Sequence, residues 1–229
     1  MKKLFRYLSE LLGNEEIAEQ AERKFSEYRD FLIEQNKFFN LTAITAPEEI
    51  EIKHFIDSVS AYPYISGAVA DIGSGAGFPA VPLKIIKPEL EFTLIDSLNK
   101  RVNFLNALIE KLGLENIRAI HSRAEDLPKT TKYDTIVARA VSELNTLAEY
   151  CIPFVKVGGR FIAYKSNDCE EEIKRAKKAI SVLGGEIEQT EEITLFETDI
   201  KRKLIIIRKI KETPLNYPRG QNKPKKQPL

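Results

Sequence analysis

At 229 residues and 43% hydrophobic content, the chain is long enough for one sizeable core plus a small extension and has the composition of a soluble globular protein. Its 35 basic and 34 acidic residues leave a formal charge of +1, so any nucleic-acid surface must be a local patch rather than a globally basic protein. Cys151 and Cys169 have neither metal-ligand spacing nor a disulfide framework, the start Met-Lys-Lys-Leu-Phe-Arg lacks a signal-peptide core, and no apolar run nears the ~20 residues that span a bilayer. The expectation is a reduced, cytoplasmic protein without membrane insertion.

Leu4, Phe5, Leu8, Leu11 and Leu12 fall on one face of a helix that Gly13 ends, and Ile17, Ala21, Phe25, Tyr28 and Leu32 mark a second, longer one. Asn40 either terminates that helix or hydrogen-bonds a substrate or cofactor. Thr45-Ala-Pro47-Glu48 has capping-box spacing and opens a helix carrying Ile52, Phe55, Ile56 and Val59. His54 and Asp57, one turn apart on it, either face a pocket together or form a plain salt link or cap. Residues 1–62 are read as a helical extension packed on a core formed by 63–213.

From residue 69 apolar strands alternate with helices, the pattern of a mainly parallel sheet covered on both faces. Strands are predicted near 69–72, 91–95, 117–120, 134–138 and 159–164, with the clearest helix carrying Leu98, Val102, Leu105, Ile109 and Leu112 up to Gly113. A charged helix around 170–183 precedes two β-rich runs, 186–195 and 202–208, whose connection is too short for a helical crossover and predicts an antiparallel pair. The fold class is α/β, Rossmann-like, with a seven-stranded, mostly parallel sheet, helices on both faces and an N-terminal helical extension. The final segment, 214–229, has four prolines, four cations and no acid, and is expected to be an extended basic tail that orders only on a partner.

The stretch Val-Ala-Asp71-Ile-Gly73-Ser-Gly75-Ala-Gly77-Phe78-Pro79 carries the chemistry. Glycines at alternate positions after a strand bring bare backbone to a ligand, because glycine lacks a Cβ and tolerates positive φ. The spacing departs from the dinucleotide fingerprint. Asp71, two residues before the first glycine, suits a ligand with an ammonium group better than a pyrophosphate, and S-adenosylmethionine fits. The next strand ends in Asp96, where an acid can bond ribose hydroxyls. Glu125, in the loop after the third strand, either frames an adenine with Ala124 or is a solvated carboxylate.

Methyl transfer from a sulfonium requires alignment and exclusion of water. Both cysteines are read as structural, which argues against a thiolate mechanism. Ala138-Arg139-Ala140-Val141 stands where amine methyltransferases carry an amide and aromatic clamp, so Arg139 points to an anion, such as an RNA phosphate or the cofactor carboxylate, or to an electron-rich ring. A ring nitrogen with a free lone pair needs no base, and no catalytic residue is assigned. RNA-contact candidates are Asn40, Arg139 and Lys165; the strand-end cations Lys201, Arg202 and Lys203 with the tail's Arg219, Lys223, Lys225 and Lys226 form either a binding stripe or separate solvated charges.

The chain resembles the bacterial small-subunit ribosomal RNA methyltransferase G family, also called glucose-inhibited division protein B. The resemblance rests on Asn40-Leu-Thr-Ala-Ile44, Lys53-His54-Phe-Ile-Asp57-Ser58, Asp71 through Lys84, and Asp96-Ser-Leu-Asn-Lys100-Arg101. It continues through Arg123-Ala124-Glu125, Ala138-Arg139-Ala140-Val141, Tyr164-Lys165 and Tyr217-Pro-Arg219-Gly. Ala80 stands where the family commonly has glycine. The resemblance implies methylation of guanine N7 at one site in the decoding region of 16S ribosomal RNA, with S-adenosylmethionine as cofactor and contacts at Gly73, Phe78, Ala124, Glu125 and Arg139. The implied partner is 16S ribosomal RNA or the small ribosomal subunit, and the chain is expected to act as a monomer.

Overall fold

The computed structural model describes residues 2–139 and 142–229. Ala140 and Val141, part of the Arg139 motif above, lie outside the described residues. Helix α1 (Lys2–Leu12) ends at Gly13, whose φ of +63° suits glycine. Asn14 then caps α2 (Glu15–Phe39) by accepting a hydrogen bond from Ile17 N at 3.1 Å. Asn40, with φ 48° and ψ 54°, closes α2 in the left-handed conformation, which is the terminator reading of that residue.

The capping box at Thr45 does not form. Ala46 is the N-cap of α3 (Pro47–Ile50), without a side-chain cap bond and with Pro47 in the first turn, where proline costs no hydrogen bond and presets φ. The helix continues as a π-helical stretch, Glu51–Ile56, and then α4 (Asp57–Val59). The apolar period alone gave no sign of this wider turn, which often marks a functional position.

Seven strands make one sheet in the order β3-β2-β1-β4-β5-β7-β6. They are β1 (Val69–Ile72), β2 (Phe92–Asp96), β3 (Ile117–His121), β4 (Tyr133–Arg139), β5 (Val155–Ser166), β6 (Gly185–Thr194) and β7 (Lys201–Lys209). The first five pair in parallel, and β7 runs antiparallel to β5 and, as the short connection requires, to β6. Strand order reverses between β1 and β4, the place where ligands lie against the carboxyl ends of open parallel sheets.

The sheet alternates its side chains between two cores. Ile162, Tyr164, Leu204 and Ile206 join Leu4, Phe25, Tyr28 and Phe55 of the N-terminal helices, with α5 (Ala80–Ile86) and α6 (Asn99–Lys111) on the same side. Phe161, Ala163, Ile205 and Ile207 face α7 (Leu144–Cys151) and α8 (Glu170–Val182). Among the described residues no helix is long and apolar enough to cross a membrane.

The tail departs from its expectation. It turns back onto α7 instead of extending, because α7 carries a fully buried carboxylate, Glu149, that needs a partner. Arg219 supplies it, donating through Nε at 2.8 Å, Nη2 at 2.7 Å and its backbone N–H at 2.9 Å. Thr146 Oγ1 donates to Pro224 O at 3.1 Å, and a short helix α9 (Lys223–Lys226) follows. Composition described a segment unable to build its own core; it did not reveal that the acceptor lies elsewhere in the same chain.

Candidate functional site

The loop between β1 and α5 is built on positive φ at Gly73 (80°), Gly75 (58°) and Gly77 (96°). Ser74 stitches it to the sheet, accepting from Ile95 N and donating to Asp71 O, both at 3.1 Å. The last two glycines serve different purposes. A Cβ on Gly77 would fall 2.8 Å from both Tyr28 Oη and Val81 Cγ2, so this glycine is required by packing. A Cβ on Gly75 would meet only Gly73 O, at 3.9 Å. That open side is where a ligand can lie on bare backbone.

Beside the loop, at the carboxyl ends of β1 to β3, lies a pocket of about 220 Å³. Ile72, Ile95 and Ala124 give it apolar walls, while Ser97, Ser122 and Glu125 supply a polar edge, the mixture expected of a small-molecule site. Gly73, Ala124 and Glu125 line this one cavity. An adenosine fits this chemistry: its ring needs apolar faces, and its exocyclic amine and ribose need acceptors.

Asp96 does not line the cavity. Its carboxylate is 2% exposed and accepts from Gly75 N (Oδ2, 2.9 Å) and from Leu98 N (Oδ1, 2.9 Å), with Arg101 Nη1 at 3.4 Å. It therefore ties the glycine loop to the start of α6 and presents the loop rather than an open carboxylate. Asp71 is fully buried behind the loop and outside the pocket wall, and neither carboxylate oxygen has a hydrogen-bond partner among the described residues. Burial pushes its carboxyl well above the usual range. The expected pairing of Asp71 with a ligand ammonium is not provided by this position.

A second constellation surrounds Phe78, whose ring stacks on Tyr28 (centroids 5.3 Å apart) and on His54 (4.3 Å), with the Arg139 guanidinium carbon 4.9 Å from its centre. Arg139 donates to Asp57 Oδ2 (2.7 Å), to Lys53 O in the π-helical stretch (3.1 Å) and to His54 Nδ1 (3.1 Å). Because an arginine has only donors, Nδ1 must accept, which makes Nε2–H the donor to Thr42 Oγ1 at 2.8 Å. Burial and the adjacent Arg139 cation lower the His54 pKa to about 3. The ring is neutral with both nitrogens engaged, so it is unsuited to act as a base. His54 and Asp57 do face inward together, and the salt link is part of the same arrangement.

The cations expected to meet RNA separate. Lys165 and Lys203 are register partners on β5 and β7, yet both turn toward α8. Lys165 bonds Ser142 O (2.6 Å) and Glu172 (2.5 Å), and Lys203 pairs with Glu170 and Glu192. Arg202 turns to the opposite face, with Nε 3.4 Å from Asp57 Oδ1. Arg219 is taken by Glu149, so Arg202, Lys203 and Arg219, three of the cations in the stripe considered from the sequence, each face an acid of this chain. Asn40, Lys201, Lys223, Lys225 and Lys226 are exposed. Both cysteines are buried, and burial raises their thiol pKa values, in keeping with a structural role.

Tyr150, Ser97, Ser122, Asn222 and Lys225 also border the pocket and were not found by sequence reasoning as cofactor-site residues. Only Lys225 was singled out at all, and for RNA. Ser97 and Ser122 follow strand ends and were findable from topology; Tyr150 and Asn222 carry no local signal.

Residues 21–205 match the family model described as rRNA small subunit methyltransferase G. Ribosomal RNA small subunit methyltransferase G of Acetivibrio thermocellus is 52% identical over 213 residues, covering 90% of this chain and 88% of that protein. The protein of the same name from Alkaliphilus metalliredigens is 49% identical over 210 residues, covering 88% of each. Among solved structures, NSun6 from Pyrococcus horikoshii with SFG aligns with a TM-score of 0.56 at 15% identity, covering 69% of this chain and 52% of that one. TYW2 of M. jannaschii in complex with AdoMet aligns at 0.54 and 18% identity, covering 68% of this chain and 76% of that one. At such identities these two share the fold alone.

Proposed function

The chain belongs to the rRNA small subunit methyltransferase G family, and on that premise we propose that it methylates N7 of one guanine in the decoding region of 16S ribosomal RNA, acting in the cytoplasm as a monomer. The observation that carries the reading is the cavity against the glycine loop, at the strand-order reversal, with Ala124 and Glu125 on its wall. S-adenosylmethionine supplies a sulfonium-activated methyl group. The chain's part is to bind and orient: Gly73 and Gly75 offer bare backbone, Asp96 holds that backbone in place, and Ala124 with Glu125 frames the adenine.

Guanine N7 has a free lone pair, so transfer to it removes no proton. That agrees with His54, whose neutral ring is consumed by Arg139 and Thr42. Arg139, Asp57 and Phe78 form a rigid platform beside the loop, which serves alignment. The test is incubation with methyl-labelled S-adenosylmethionine and unmodified small-subunit RNA, free and in subunits, followed by reduction and aniline cleavage. One cleaved guanine in the decoding region is expected. Methyl transfer to another atom, or none by protein shown to bind the cofactor, overturns the assignment.

A further inference from the structure

The cofactor pocket is not closed by the sheet and its loops alone. Asn222 and Lys225, from the last residues of the chain, border the same cavity as Ala124, Glu125 and Tyr150. Three contacts hold them there. Glu149, fully buried on α7, binds Arg219 in a two-pronged ion pair; Thr146 Oγ1 donates to Pro224 O; and Tyr150 Oη donates to Asn222 Oδ1 at 3.0 Å. Gln221 and Asn222 take left-handed backbone (φ 61° and 58°), turning the chain between the Arg219 anchor and α9.

The Tyr150 bond decides which part of Asn222 is left for a ligand. With Oδ1 occupied, the two Nδ2 hydrogens remain as donors. Burial, with the nearby Glu125 and Glu149 carboxylates, raises the Tyr150 pKa to about 12, so the phenol keeps its proton and its role as donor to Asn222 at neutral pH. Adenine offers ring-nitrogen acceptors, and Glu125 on the same cavity offers an acceptor for the exocyclic amine. The two side chains are complementary halves of an adenine site.

We propose that residues 219–226 form the outer wall of the adenosine end of the pocket and that Asn222 contacts the cofactor there, with Arg219 and Tyr150 as its positioning residues. The proposal rests on the reading of the pocket as the S-adenosylmethionine site. It gives the tail a role in cofactor binding, whereas its basic composition had suggested RNA alone.

The experiment is calorimetric titration of the full-length protein with S-adenosylmethionine and with methylthioadenosine, which lacks the amino-acid end. Asn222→Ala is expected to weaken both about fivefold, the value of one hydrogen bond. Hydrogen exchange supplies a second readout that needs no variant: amides of 219–226 are expected to gain protection when the cofactor saturates the wild-type protein. Equal affinity in the variant, loss for S-adenosylmethionine without loss for methylthioadenosine, or unchanged exchange at 219–226 each overturns the proposal. Wild-type protein that binds neither ligand defeats the reading of the pocket itself, a failure distinct from those.

Discussion

The glycine loop borders two neighbourhoods of opposite design. At its start, Gly73 opens on a cavity whose serines, glutamate and bare backbone face inward. At its end, Phe78 lies under a cluster in which hydrogen bonds join Arg139 to Asp57 and His54, and His54 to Thr42. A site meant to receive a ligand keeps polar groups in reach of it, whereas a platform uses its groups to hold itself still. Arg139 is therefore not a free cation awaiting a phosphate. Any anion that engages it competes with a 2.7 Å bond to a carboxylate that is 4% exposed.

The contrast is sharpest at Arg139 itself. Arg139→Ala leaves Asp57 buried with Arg202 as its remaining ion-pair partner among the described residues, and a loss of about 3 kcal/mol in urea unfolding is expected, at the low end for breaking a buried pair. The double variant with Asp57→Ala should recover part of that loss. A single variant of wild-type stability would mean that the ion pair is not the platform's support, and would restore Arg139 as a group held for RNA or cofactor alone.

Within the loop, Gly77→Ala is expected to cost about 2 kcal/mol through the clash with Tyr28 and Val81. Gly75→Ala should cost about 1 kcal/mol for its left-handed backbone, and its larger effect should appear in cofactor affinity. Stability curves and cofactor titrations on both variants separate the two roles; identical profiles would erase the distinction.

The platform also predicts a pH dependence. Above pH 6.5 His54 is neutral in both folded and unfolded chains; between 6.5 and about 3 the unfolded chain alone takes up the proton. Stability therefore falls as pH falls through this window, by up to about 1.4 kcal/mol per pH unit from this group. Urea midpoints at pH 7 and pH 5 should converge in His54→Phe, which keeps the stacking on Phe78. An unchanged slope in that variant would assign the acid sensitivity elsewhere.

The smallest effect is expected on the tail's outer face. Lys226→Ala should lower the salt slope of RNA binding by about 1 while leaving affinity within a few-fold. A slope unchanged by this variant would remove Lys226 from the RNA surface.

Much of this molecule was legible one segment at a time. Val69–Ile72, Phe92–Asp96 and Leu204–Ile207 are short, largely apolar segments that a sheet covered on both faces buries, so the α/β class follows from local pattern. The alternate glycines needed no partner to be recognised, because a positive φ leaves its mark in the residue itself. Gly13, Asn40 and Gly113 stop their helices for the same local reason. The π-helical turn at Glu51–Ile56, the diversion of Asp96 to the loop backbone and the closure of Arg139 onto Asp57 have no such mark. The last two depend on which group meets which across 21 to 86 residues of chain. The tail is the clearest case. Its four prolines and four cations forbid a core of its own, and that much is intrinsic to the segment; that it docks is decided by Glu149, a charge buried 70 residues away that cannot stay unpaired.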